Sequence, residues 1–283
     1  MYNNNFAVFI LTHGRPDNVK TLNTLNRCGY TGKIYFIVDN EDKTIDKYIK
    51  NFGSEYVKIF DKKATADQVD EGNNFDERRT ITHARNACFK IANEIGVKYF
   101  IQLDDDYNGF YYRYFIGTKI ITNIDAVFDI MLNFYKSVNI KSIAFSQGGD
   151  HIGGFQGIRF KRKCMNSFIC STDREFQFIG AMNEDVNTYT TLGTRGDIFF
   201  TFTNLQLNQA ATQSQNSGIT DMYLRYGTYC KAFTTVMMHP SAVKVSMMHT
   251  TNARIHHAIK WSNTTPMIID QKYKKSTEEL LMF

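Results

Sequence analysis

The chain has 283 residues, with 33 Lys and Arg against 28 Asp and Glu for a formal net charge of +5. That length suits one large α/β core with C-terminal additions, and the mild basic excess favours a polyanionic partner while falling well short of a histone-like polycation. The cysteines Cys28, Cys88, Cys164, Cys170 and Cys230 form an odd set without CxxC pairs or tight Cys/His spacing. This argues against a disulfide framework or structural zinc and fits reduced thiols in the cytoplasm. The apolar run 6–11 is far shorter than the roughly 18 residues of a membrane span and lacks a basic flank or small-residue cleavage site, so neither membrane nor secretory targeting is expected.

Taken in chain order, short apolar runs alternate with helical patterns: residues 6–11, 33–38, 56–60, 99–103 and 142–145 read as buried strands. Between them, Val19, Leu22 and Leu25 keep helical spacing behind Asp17 as a candidate N-cap. Ile81, Ala84, Cys88, Ile91, Ala92 and Ile95 do the same until Gly96, and Ile124, Val127, Phe128, Met131, Leu132 and Tyr135 form a further apolar face. Strands separated by helices predict an α/β fold with a mostly parallel central sheet covered on both faces. Beyond the glycine-rich stretch 148–154 the pattern turns irregular and more β-like. The polar stretch 204–217 lacks an apolar face and reads as a loop or mobile lid.

The chemistry concentrates at strand ends. Asp104, Asp105 and Asp106 follow the apolar run 98–103, and three crowded carboxylates repel one another unless a cation offsets them. Mg²⁺ or Mn²⁺ held by a few carboxylates and diphosphate oxygens is the natural solution. The first strand empties into Thr12-His13-Gly14-Arg15-Pro16 and the second into Asp39-Asn40-Glu41, which places an acceptor for base or ribose hydrogen bonds beside the same rim. Arg78, Arg85 and Asn86 lie near a helix start, where cations and the helix N-terminus can face phosphate.

This order, a strand ending in Thr-His-Gly-Arg-Pro, a second ending in Asp39, an Ala84-Arg85-Asn86 helix and then Leu-Asp-Asp-Asp, resembles the nucleotide-binding half of GT-A glycosyltransferases over about the first 110 residues. The resemblance implies a single GT-A-like domain over 1–283, with a donor half at 1–110 and an acceptor half at 111–283. It implies a nucleotide-sugar donor, most simply a UDP-sugar, in a hexosyl- or pentosyltransferase. The metal would sit at Asp104 and Asp106, and the donor on Thr12, His13, Gly14, Arg15, Asp39, Arg78, Arg85, Asn86, Asp104 and Asp105.

More narrowly, the segments Phe-Ile-Leu-Thr-His-Gly-Arg-Pro, Ile-Val-Asp-Asn-Glu and Gln-Leu-Asp-Asp-Asp-Tyr resemble the phage-type glycosyltransferases associated with thymine- or cytosine-oxidising dioxygenases. That resemblance implies the hydroxyl of a 5-hydroxymethylated pyrimidine in DNA as acceptor, a host-cell cytoplasmic location and no obligate protein partner.

For the acceptor side, Asn183-Glu184-Asp185 precedes a helical pattern through Val186, Tyr189 and Leu192 and resembles the acceptor-side Glu-Asp motif of GT-A enzymes. There Asp185 would be the general base of an inverting mechanism, with Glu184 as the alternative. A C-terminal histidine ligates the metal in many such enzymes, and His249, after the run 243–248, fits that place ahead of His239, His256 and His257. Arg159, Lys161, Arg162 and Lys163, with Arg113 among the aromatics Tyr107, Phe110, Tyr111, Tyr112 and Tyr114, are the candidate DNA contacts. Competing readings are a protein or polysaccharide acceptor, a non-catalytic nucleic-acid-binding module of the same fold, and a two-metal nuclease. The residues leave open whether transfer inverts or retains the anomeric configuration.

Overall fold

The computed structural model describes residues 5–71, 78–151, 162–209, 227, 229–249, 253–264, 274 and 276–281. The chain builds strands β1 (Phe6–Leu11), β2 (Lys33–Asp39), β3 (Val57–Phe60), β4 (Tyr99–Asp104), β5 (Tyr107–Tyr114), β6 (Gly117–Ile120), β7 (Ser142–Ser146), β8 (Ser167–Ser171) and β9 (Phe199–Gln209), all in one sheet. Helices α1 (Lys20–Arg27), α2 (Ile45–Phe52), α3 (Lys62–Ala66), α4 (Thr82–Glu94), α5 (Ile124–Ser137) and α6 (Glu184–Thr194) connect them. Helix α7 (Cys230–Met238) then leads into a two-stranded antiparallel ribbon of β10 (Val243–His249) and β11 (Ala253–Ile259).

The sheet runs β3-β2-β1-β4-β8-β7-β9-β5-β6. Its first four strands are parallel, as the alternation of strands and helices predicts, and β8 enters antiparallel beside β4. Every residue of β1 is buried, the signature of an inner parallel strand covered on both faces. One face packs on α1 and α5, where Phe128 and Phe145 meet Phe110. The opposite face packs on α4 and α6, with Phe9 stacked on Phe100 at 4.9 Å.

Helix α5 buries the six residues its sequence pattern nominates, and the Asn123 side chain accepts from Ala126 N at its start. Helix α1 departs from expectation, because Asp17 does not cap it. Thr21 N–H donates instead to the Asp105 carbonyl and Thr21 Oγ1 to the Asp104 carbonyl, so the backbone of the acidic triplet serves that helix end. The loop expected at 204–217 is corrected as well: residues 204–209 belong to β9, whose Thr201, Thr203 and Gln206 are buried, and the rest of that stretch lies outside the described residues. The strand was hidden because three of its five buried positions carry polar side chains. They find partners across the sheet, as Gln206 does in accepting from Arg113. Among the described residues no helix is long and apolar enough to cross a membrane.

Candidate active site

The carboxyl ends of β1, β2 and β4 form one rim, where a parallel sheet opens a crevice for ligands. At the end of β2, Asp39 is buried between two basic side chains: His13 Nδ1 lies 2.6 Å from Oδ2, and Lys62 Nζ lies 3.3 Å from Oδ1. The hydrogen bond to Asp39 raises the His13 pKa. Burial works against ionisation of Asp39, yet the bond to His13 and the Lys62 charge together hold it below the usual range. Gly14, in the left-handed region at φ +69°, turns its N–H onto Asp42 Oδ2 at 2.6 Å and so fixes the Thr-His-Gly-Arg loop. Arg78 completes this edge by reaching Glu41 at 2.7 Å. Sequence reasoning missed Lys62 and Asp42. Asp42 lies in the loop after β2 and Lys62 opens α3, and only the fold brings the two to the rim.

The acidic triplet divides into three environments. Asp105 turns back into the fold, where Thr12 Oγ1 and Arg15 Nη1 each donate to it at 2.8 Å. Thr12, Arg15 and Asp105 thus brace the loop with contacts to one another. Asp104 accepts from Arg85 Nη2 at 2.9 Å, and burial, partly offset by Arg85 and reinforced by Asp106, pushes its pKa up to about 7. Burial first, then Asp105, pushes Asp106 up to about 6, and a hydrogen bond from Gln209 opposes the shift. Gln209 in turn accepts from Asn166 at 2.7 Å, so the end of β9 supports the triplet, a link invisible in the sequence.

Arg85 is the centre of the site. It is 1% exposed, lies over the rings of Phe168 and Phe178 at 4.9 and 5.7 Å, and joins Asp104 to Glu184, to whose Oε1 it donates through Nε at 3.0 Å. Asn86 gives both ends of its amide to the Phe178 backbone at 3.0 and 2.8 Å, bracketing the segment that leads to α6. Next to Glu184, Asp185 is buried; desolvation and the Glu184 charge push its pKa up to about 6 while Lys231 pulls it back. Its Oδ1 accepts from Val186 N at 2.7 Å.

Asn183 enters α6 in the left-handed region at φ 54°, which asparagine tolerates better than most residues. Its Nδ2 donates to Thr235 Oγ1 at 2.8 Å and to the Lys231 carbonyl at 3.0 Å, and it faces His257 Nδ1 at 3.4 Å.

Two carboxylates at the rim suit a divalent cation. Asp106 Oδ1 is buried without a hydrogen-bond partner, an oxygen that a cation would satisfy. Among the described residues no three metal-ligating side chains converge; Mg²⁺ or Mn²⁺ needs only one or two carboxylates where phosphate oxygens complete its shell. His249 is not gathered with Asp104 and Asp106. It lies exposed at the end of β10, paired with Ala253 in a ribbon separate from the main sheet.

The expected DNA contacts are also redistributed. Tyr107 and Phe110 are fully buried, Tyr111, Tyr112 and Arg113 are half-buried, and Tyr114 is exposed. Arg162 bonds the Asp150 carbonyl with its side chain 12% exposed, and Lys163, half-buried, lies within the fields of Asp150 and Asp185. Both are partly buried, and Arg162 is committed to Asp150. Arg159 and Lys161 lie outside the described residues, as do residues 152–154 of the glycine-rich stretch, while Gly148–His151 form a 3-10 turn.

The site joins a parallel α/β half with a carboxylate rim, through a buried arginine, to an acidic helix start, and the family match makes the protein a glycosyltransferase. The chain belongs to the TET-Associated Glycosyltransferase family, whose model matches residues 6–218. Among solved structures it is similar to glucosyl-3-phosphoglycerate synthase from Mycobacterium tuberculosis in complex with Mg²⁺ and UDP, at 8% identity over 90% of this chain and 87% of that one, with a TM-score of 0.47. It is similar to S. aureus TarS 1–349 at 13% identity over 82% of this chain and 65% of that one, TM-score 0.41. A protein of Desulfovibrio desulfuricans G20 assigned to the nucleotide-diphospho-sugar transferases aligns at 8% identity over 64% of this chain and 66% of that one, TM-score 0.35. None of the curated proteins compared matches the chain.

Proposed function

We propose that the protein transfers a sugar from a nucleotide-sugar donor, most simply a UDP-sugar held through Mg²⁺ or Mn²⁺ at Asp104 and Asp106, to the hydroxyl of a 5-hydroxymethylated pyrimidine in DNA. The observation that carries the reading is the chain Asp104–Arg85–Glu184, which sets the donor rim and the acceptor-side helix in one site. When bound, the cation offsets the charge that gathers on the departing diphosphate. Asp39, flanked by His13 and Lys62, would receive the base or ribose.

Asp185 is the base in this reading. It takes the acceptor's hydroxyl proton as that oxygen bonds the sugar's anomeric carbon and the bond to the diphosphate oxygen breaks. Glu184 is the weaker candidate, since its charge already serves Arg85. DNA as acceptor rests on the family's association with TET-type oxidation of pyrimidines and on the net charge of +5, not on Arg162 or Lys163.

The test incubates the protein and Mn²⁺ with a duplex containing 5-hydroxymethylcytosine or 5-hydroxymethyluracil and a panel of nucleotide sugars, followed by nucleoside mass analysis. One added hexose or pentose on the modified base, absent from plain DNA, is the expected result. Metal-dependent donor hydrolysis with no transfer from any donor would remove DNA as the acceptor and point to a protein or polysaccharide.

A further inference from the structure

The residue that the motif order assigns to the donor pocket is almost wholly withdrawn from solvent. Arg85 arises in the first turn of α4, its backbone carbonyl pinned by Gln102 Nε2 at 3.0 Å, and its guanidinium is enclosed by Phe168 and Phe178. Nη2 and Nε are spent on Asp104 and Glu184, and Nη1 is buried without a hydrogen-bond partner among the described residues. Of the three side chains the carboxylates are the more exposed, Asp104 at 15% and Glu184 at 10% against 1% for Arg85.

We infer that Arg85 is a positioning residue that couples donor binding to the acceptor-side helix by sharing one positive charge between Asp104 and Glu184. The inference rests on the donor reading above and reassigns Arg85 within it. The planar fork of a guanidinium can hold two carboxylates in fixed directions at once, whereas an ammonium is a point charge that satisfies one geometry at a time. Two carboxylates on one guanidinium leave the Asp104–Arg85–Glu184 cluster with a net negative charge to present to a metal. With glutamine at 184 the remaining Asp104–Arg85 pair is neutral as a unit and attracts a metal less. A change at Glu184, on the helix across the site from the rim, therefore reports at the donor.

The experiment measures calorimetric affinity for UDP in the presence of Mn²⁺ for the full chain, Glu184→Gln, Arg85→Lys and the double variant. Glu184→Gln should weaken UDP·Mn²⁺ binding about fivefold or more, the scale of coupling inside one hydrogen-bonded network. Arg85→Lys should weaken it at least as much, and the double variant should be no worse than Arg85→Lys alone. A contribution to folding alone would leave the affinity of the folded protein unmoved.

If Arg85 instead bound phosphate directly, Arg85→Lys would weaken binding while Glu184→Gln left it within twofold of wild type, or the two effects would multiply. Either result overturns the coupling. Should Arg85→Lys fail to fold, Glu184→Gln decides alone, because it keeps the shape of the partner and removes only its charge. Chelator-insensitive UDP binding, or none, in the unaltered chain would overturn the donor reading itself, and that control separates the two failures.

Discussion

Replacing Asp185 by Asn separates a base from a helix cap, because the amide keeps the capping oxygen and loses the proton acceptor. The Asn side chain keeps an oxygen for Val186 N–H, so the 2.7 Å bond that orders the start of α6 survives. What disappears is a buried charge whose pKa, pushed up to about 6 by desolvation and Glu184, lies above its unfolded value near 3.8. A carboxyl raised in this way is most favourable to the fold when protonated, so stability falls as pH rises from about 4 to about 6 and stays lowered above that. The shift corresponds to a cost on the order of 3 kcal/mol at neutral pH, which the Asn variant escapes.

Its melting temperature at pH 7 should match or exceed that of the wild type, while the transfer rate at saturating donor and acceptor drops by about 10²–10⁴. In the wild type the rate should fall about tenfold per pH unit below about 6, as Asp185 takes up its proton. Calorimetry and single-turnover transfer across pH 5–8 read both quantities. Wild-type turnover by the folded variant, or a lowered melting temperature without a rate defect, refutes the assignment.

Asp106→Asn should weaken Mn²⁺-dependent donor binding strongly with little change in melting temperature, and excess chelator should do the same to the wild type; equal affinity with and without chelator would remove the metal from donor binding. Arg162→Ala should lower the melting temperature more than it lowers DNA affinity in a salt series, since its side chain serves Asp150. A flatter salt dependence with unchanged stability would return Arg162 to the DNA surface. Asn86→Ala strands the Phe178 N–H and carbonyl and should cost about 1–3 kcal/mol in denaturant unfolding, whereas a donor ligand at that position would change donor affinity with stability intact.

Apolar periodicity made the parallel half of the sheet legible: β1 and the buried face of α5 match residue for residue, and β2, β3, β4 and β7 differ by one end residue. Strand β9 escaped because its buried Thr201, Thr203 and Gln206 carry no apolar signal and depend on partners far along the chain. The site followed the same division. Asp39, Asp104 and Asp106 stand at strand ends, where motif order and topology agree, and Asp185 lies in the first turn of the expected helix. The link from Arg85 to Glu184 spans 99 positions, and Lys62 meets Asp39 across 23, separations at which composition and spacing say nothing about contact. The inward turn of Asp105 was hidden for a further reason: within a run of like residues only the backbone direction after the strand decides which carboxylate faces the crevice.

The match to the family ends at residue 218, yet the residue that opens the acidic helix is tethered beyond it. Asn183 hangs its left-handed turn on Lys231 and Thr235 of α7, with His257 of the ribbon beside it. A chain trimmed to the matched region would retain Asp39, the acidic triplet and Glu184–Asp185 and lose the hook from which the last pair is suspended. For chimaeras between relatives the natural exchange is therefore the helix and ribbon together with residues 180–194, because a junction between them would cut a working lever from its pivot.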